Sequence, residues 1–516
     1  MRTRYHLDNS MLPILGMAFF LTACSATVNW DYQRTPSNAL AYPDTSAIGA
    51  LFKEAADKHP GLSGFSLVQQ GGPAFMARVA MADLAEKTLD GQYYIWDGDT
   101  TGLILAERLL RAADRGVRVR LLIDDHYMTE ARDASIAALD AHPNIEIRFF
   151  NPVRNRRWRI MSFLAEFGRV NHRMHNKLFV MDNAVGIVGG RKIADIYFGV
   201  RADHNYRDLD VLTAGPIVGE LSSSFDLFWN SEWAIPVGAV VKARATEQDL
   251  RALTKRLEEK LAATGYPYPI DESIADLRAR LAQIRGNFTW APGRVFVEHP
   301  SRVNTNADTV IATALRQRAN EVERELLIES PYFVLGDRNI EGVRQLKQRG
   351  IKVRVLTNSA ASNDVMPAHA GYANTRTKLL QAGVELYELR PDSNMKRQWS
   401  VLAGKSRTAL HAKSLVFDRK SVFIGSFNLD PRSTALNTEI GVMIDSPEIA
   451  SQVGEWMDEG VSPGSAFHVT LDESDDLVWS AETNGEKVHY SKDPETTIWD
   501  RLVFDFIGIL PIEDLL

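Results

Sequence analysis

His175-Asn176-Lys177-Leu178-Phe179-Val180-Met181-Asp182 recurs as His411-Ala412-Lys413-Ser414-Leu415-Val416-Phe417-Asp418, and this repeat decides how the chain is read. Each copy holds a histidine, a lysine two residues on and an aspartate seven residues on, with an apolar run between. Gly189 and Gly425 each fall fourteen residues after their histidine. Side chains two apart on a strand share a face, so each histidine is expected to enter a pocket beside its lysine. One such match would arise by chance on the order of once in tens of chains this long. Two at equivalent places in a duplication would not.

Outward from the repeat, the chain is written twice. Tyr93-Tyr94-Ile95-Trp96 and Gly98 lead into a helical stretch from Leu103 to Arg115, stopped by Gly116 and followed by the strand Val117 to Ile123. Pro331-Tyr332-Phe333-Val334 and Gly336 lead likewise to Arg349, Gly350 and the strand Ile351 to Leu356. Glycine past a helix end, then a β-branched run, is stop-then-strand punctuation. The two histidines stand near 236 residues apart, and the paired glycines keep close to that spacing. Alternating strands and helices predict a duplicated α/β architecture with mixed, largely parallel sheets and the chemistry at the seam. The halves are expected at 61–240 and 291–460. A helical linker is expected at 241–290, where Ile274, Leu277, Leu281 and Ile284 recur at helical spacing. The stretch 461–516 is an extension whose last apolar run, Trp499 to Leu510, is expected to dock on the body as a helix, with an interfacial membrane contact as the alternative.

The 516 residues are 45% hydrophobic and 24% charged with a net charge of −7, which suits a folded body and argues against a protein that coats nucleic acid. The single cysteine, Cys24, ends Leu21-Thr22-Ala23-Cys24 after an apolar run from Met11 and a start carrying Arg2 and Arg4. That order describes an export signal, and its ending resembles a bacterial lipobox. Residues 1–24 are therefore expected as a lipoprotein signal with Cys24 lipidated, and 25–60 as a tether. The expected location is the bacterial envelope, facing the periplasm. Before the first motif, Arg154, Arg156, Arg157, Trp158, Arg159, Phe163, Leu164 and Phe167 mix basic and apolar character. They suit either an interface with anionic phospholipid or a solvated loop.

The paired motifs resemble those of the phospholipase D superfamily. Asp90 to Trp96, Arg173 to Lys177, Asn363-Asp364-Val365, His369 to Tyr372, Phe427 to Ser433, Leu436 to Glu439 and Leu510 to Glu513 resemble its bacterial cardiolipin synthase C branch. The resemblance implies two phospholipase D-like α/β/α sandwich halves and a phosphatidyltransferase that makes cardiolipin from two phospholipids through a phosphohistidine. Phosphatidylglycerol and phosphatidylethanolamine are the expected substrates, at a membrane surface, with no cofactor, no metal and no nucleic acid. Hydrolysis of phospholipids at the same site is the alternative, and a nuclease the next.

Chemistry assigns the parts. A phosphodiester is anionic, so attack on it needs cations and donors where charge builds up. Lys177 and Lys413 supply cations. One neutral imidazole attacks phosphorus and the other, protonated, serves the leaving alcohol. The superfamily pattern favours His175 as the nucleophile. Asp208 and Glu439, at matching places on later strands, are expected to orient the histidines, with Asp210 a competitor for the first role. Ser426 and Asn428 are expected to touch substrate. Lys192 stands where the resembled branch has Asn; it either holds a phosphate oxygen or points away. Asp182 and Asp418 are expected to be structural, holding their turns through backbone hydrogen bonds.

Overall fold

The computed structural model describes residues 28–509 except 157, 242–244, 264, 305–308 and 394–406. The expected signal segment and Cys24 lie outside the described residues. In the first half, strand Thr88–Tyr93 runs parallel to Arg118–Asp124, which runs parallel to Ile145–Phe150. On its other side Thr88–Tyr93 meets Lys177–Met181 antiparallel, followed by Val185–Gly189, Asp210–Ala214 and Ser63–Val68, all antiparallel. The second half repeats this with Glu325–Glu329, Lys352–Asn358 and Glu385–Leu389 in parallel, then Ser414–Phe417, Ser421–Gly425, Ile440–Ile444 and Gly293–Val297 antiparallel. The sheets are mixed, with the expected parallel strands at the centre of each and antiparallel pairs in the majority around them. Parallel pairing belongs to the strand–helix–strand centre, and antiparallel pairing to the hairpin that carries each histidine motif, because a tight turn can only join antiparallel strands.

The helices Thr100–Asp114 and Asp337–Gln348 end at equivalent glycines. Gly116 and Gly350 adopt φ of 93° and 81°, a conformation that a side chain would strain, which is why glycine stops both helices. Apolar material forms three clusters. One fills the outer side of the first half, one the outer side of the second, and the third lies between the sheets. The shared core takes Phe225 and Trp229 from helix Pro216–Trp229 and Val453 and Trp456 from helix Pro447–Gly460. Packing of this kind joins the halves into one body.

The chain passes from one sheet to the other at Pro292, between strands Thr289–Ala291 and Gly293–Val297. The intervening segment is helical, Glu247–Ala263 and Ile274–Gly286, and its Leu253, Leu257, Leu277 and Leu281 are buried in the core of the first half. Residues 28–60, expected as a tether, also lie against that half, where helix Ala47–Asp57 buries Ile48 and Phe52. Beyond residue 460 three strands, Ala466–Leu471, Leu477–Thr483 and Glu486–Tyr490, extend the second sheet. The final helix, Ile498–Ile509, packs on helix Met366–Gln381, with Phe504 against His369.

Candidate active site

The two histidines meet at the seam, and each takes its carboxylate from the opposite half. His175 Nδ1 lies 2.9 and 3.0 Å from the two oxygens of Glu439, and His411 Nδ1 lies 2.6 Å from Asp208 Oδ2. The backbone imposes this exchange. His175 N donates to Thr438 O at 2.9 Å, and Thr438 N returns a bond to Arg173 O at 2.9 Å. In the mirror position, strand Arg407–Leu410 pairs in parallel with His204–Arg207, and His411 N donates to Arg207 O at 2.8 Å. So the residue before each histidine sits beside the residue before the other half's acid. With Nδ1–H given to a carboxylate, each neutral ring keeps its lone pair on Nε2.

Different neighbours hold the two acids. Glu439 accepts from Ser426 Oγ at 2.5 Å and Ser433 Oγ at 3.0 Å, and Ser426 Oγ in turn accepts from Ile440 N. Asp208, one methylene shorter, receives Leu209 N at 2.8 Å and lies against Gly190, where a Cβ would come within 2.0 Å of Asp208 Oδ1. Asp210, the competing acid, is taken up by Arg78 at 2.9 Å and Arg191 at 3.3 Å. Asp208 is thereby left for His411.

Lys177 and Lys413 are buried and bend back to the carbonyls of His175 and His411 respectively. Lys192 points inward. Its ammonium lies 5.2 Å from the ring centre of Tyr94 and 5.6 Å from that of Tyr197. Tyr94 packs edge-on against His175 at 5.0 Å, and Tyr197 against His411 at 4.9 Å. Tyr206 also covers His411 at 5.1 Å, while its hydroxyl and that of Tyr332 donate to Asp364 at 2.5 and 2.8 Å. Lys192 therefore stands between the two histidines.

Burial pushes both imidazoles well below their ordinary range, and the three lysines add to it. Lys413 is lowered by burial to about 7, against the attraction of Asp208; Lys177 and Lys192 are lowered too, again chiefly by burial. Burial raises Glu439 to about 7, opposed by Lys177, and raises Asp208 as well. So many cationic groups in one dry place favour an anion as ligand. A phosphodiester would draw the lysines back to their charged forms.

The structure brings His175, Lys177, His411, Lys413, Asp208, Glu439 and Lys192 together. Ser426, expected on substrate, has its hydroxyl engaged with Glu439 and Ile440 instead. Asn428 is buried with its Oδ1 unpartnered among the described residues. Asp182 and Asp418 are structural, but their carboxylates bind across to the start of the neighbouring strand. Asp182 accepts from Glu86, Lys87 and Thr88 N, and Asp418 from Glu323, Arg324 and Glu325 N. Residues that the sequence reading did not assign to the site are Tyr94, Tyr197, Tyr206, Tyr332, Asp364 and Ser433. Tyr94 and Tyr332 occupy equivalent places in the repeat, which was a usable signal.

Comparisons with known proteins agree with this geometry. The family model described as "Cardiolipin synthase, PLD-like domain" matches residues 79–229 and 315–460. Cardiolipin synthase C of Escherichia coli K12 is 37% identical over 476 residues, covering 89% of this chain and 97% of that protein. An uncharacterized protein of Helicobacter pylori is 30% identical over 504 residues, covering 96% of this chain and 98% of its own length. The crystal structure of phosphatidylserine synthase from Haemophilus influenzae superposes with a TM-score of 0.58 at 14% identity, over 90% of this chain and 100% of that one, which shows a shared fold. The chain belongs to the phospholipase D-like family of cardiolipin synthases.

Proposed function

We propose that the protein is a phosphatidyltransferase that joins two phospholipids into cardiolipin. The observation that carries the reading is the pair of buried histidines, each backed by a carboxylate from the opposite half, with three lysines around them. His175 Nε2 attacks the phosphorus of the first lipid; a P–N bond forms and the P–O bond to the leaving alcohol breaks. His411, protonated on Nε2, gives that alcohol its proton. The hydroxyl of the second lipid then attacks phosphorus, its proton goes to His411, and His175 is released. Lys177, Lys413 and Lys192 bear the charge on the phosphoryl oxygens. Glu439 and Asp208 stabilise the imidazolium forms and fix the rings. Ser426 and Ser433 hold Glu439 in place.

Phosphatidylglycerol and phosphatidylethanolamine are the proposed substrates. Cys24 is the proposed lipid anchor, with the body facing the periplasm. Among the described residues no helix is long and apolar enough to cross a membrane. Mass spectrometry of lipids after incubation of the full chain with both phospholipids tests the reading. Cardiolipin is expected from the wild type and not from His175→Ala. Phosphatidic acid as the sole product would instead make the enzyme a hydrolase.

A further inference from the structure

The catalytic residues leave unused an apolar face that stands beside the site. On and around helix Arg159–Ala165, Trp158, Ile160, Met161, Leu164 and Phe167 are exposed, Ile160 at 78% and Leu164 at 64%. Ile160 and Leu164, four residues apart, lie on one face of this helix, and Phe167 opens the next short helix, Phe167–Val170. Single exposed apolar side chains are ordinary, but five within ten residues form a patch.

Ion pairs and hydrogen bonds tie the patch to the site. Arg156 binds Asp125 and reaches Asp133 at 2.6 Å, while Arg159 donates to Asp125 O at 2.5 Å. Next along the chain from Asp125 are His126 and Tyr127, whose rings pack on Tyr94, and Tyr94 packs on His175. From the other half, Val365 and Met366 are exposed next to Asp364, which binds Tyr206 and Tyr332 over the site. Tyr127 is itself half-exposed and feels the charge of Asp364. Both halves thus set apolar residues around the same approach.

We infer that this face seats in the headgroup layer of a phospholipid bilayer, with the helix in the plane of the interface and the site turned to the lipids. The inference rests on the phospholipid reading and adds the surface and the orientation. A bilayer fits this face better than a protein partner does. A phospholipid keeps its chains in the membrane while its headgroup enters the site, so the approach must lie at the interface; a protein bound there would cover it. Trp158 and the exposed Arg154 at the edge of the face are residue types that suit the headgroup level.

The test uses the full chain bound to vesicles of phosphatidylglycerol and phosphatidylethanolamine with brominated acyl chains. Trp158 fluorescence, taken as wild type minus Trp158→Phe, is expected to be quenched. An anchor at the N-terminus alone would leave it unquenched, and that result overturns the inference. The double variant Ile160→Ser, Leu164→Ser is expected to lose about tenfold or more of its activity on vesicles, from lost apolar burial. It should keep its activity on short-chain phospholipid dispersed in detergent. Equal activity on both forms, or dimers that dissociate in the double variant, would contradict the bilayer. Quenching is read without turnover, so absence of cardiolipin synthesis would fail the functional reading and not this one.

Discussion

The halves share a backbone at the site and differ in the side chains that surround it. The first half brings His175 and Lys177 with Gly190, Lys192 and Asp208; the second brings His411 and Lys413 with Ser426, Asn428 and Glu439. The longer acid is steadied by two hydroxyls, and the shorter one fits because glycine leaves it room. The acids cross the seam, so neither half holds a complete histidine–carboxylate pair. Duplication supplied two equal frames, and the side chains that hold the two acids differ between them.

The comparison breaks first at the histidines. His175→Ala and His411→Ala are each expected to lower turnover by about 10⁴ or more, and the double variant by little beyond either single one, because the pair acts as a unit. A residual activity that falls stepwise from single to double variant, read in a lipid product assay, would show two independent half-sites.

The acid supports come next. Gly190→Ala sets a methyl group against Asp208 and is expected to cost about 10²-fold in kcat or more, by moving His411. Ser426→Ala removes one hydrogen bond to a charged group and is expected to cost about 10–100-fold. Equal effects would mean that the two acids are held alike. The pH profile of kcat/KM, which reports the free enzyme, is expected to form a narrow bell near neutrality. Glu439 loses its carboxylate form below about 7, and Lys413 loses its charge above about 7. A profile flat from pH 5 to pH 9 contradicts these assignments.

Lys192→Asn makes the first half match the second. A loss of about tenfold in kcat/KM is expected, the usual scale for one charged contact to an anion. An unchanged value would place Lys192 outside the reaction. The smallest effect lies furthest from the chemistry. Asp418→Asn is expected to lower stability by about 1–3 kcal/mol in a denaturant titration, with activity retained per folded molecule. Burial opposes charge on Asp418, but three backbone N–H donors outweigh it and hold its carboxyl below the ordinary range. Its stabilising effect is therefore full above the unfolded value, about 3.9, and is lost as pH falls through the folded one.

Much of this was legible in the sequence, and the remainder has a physical reason. The duplicated α/β frame followed from glycine-stopped helices and β-branched runs, which are local signals. His175, Lys177, His411 and Lys413 followed from the repeated motif, although both histidines lie just before the strands Lys177–Met181 and Ser414–Phe417 rather than on them, and Asp208 and Glu439 followed from their equivalent places. Which acid serves which histidine was not legible, since the strand pairing that brings Arg207 beside Leu410 joins residues some two hundred positions apart. Ser426 looked like a substrate contact because a small residue after a strand reads the same whether it faces ligand or a buried acid. The strands after residue 460 escaped notice although Asp472 to Asp476 form the polar turn between Ala466–Leu471 and Leu477–Thr483, because the strands themselves carry polar and charged residues such as His468, Glu482 and Glu486.

The exchange of carboxylates is the central claim, and low-field proton magnetic resonance of the imidazole Nδ1–H groups tests it most directly. Two such resonances are expected. Glu439→Gln should shift or abolish the same signal that His175→Ala removes, and Asp208→Asn the one that His411→Ala removes. If Asp208→Asn instead acted on the signal of His175, each half would be pairing within itself, and the account of the site would be wrong.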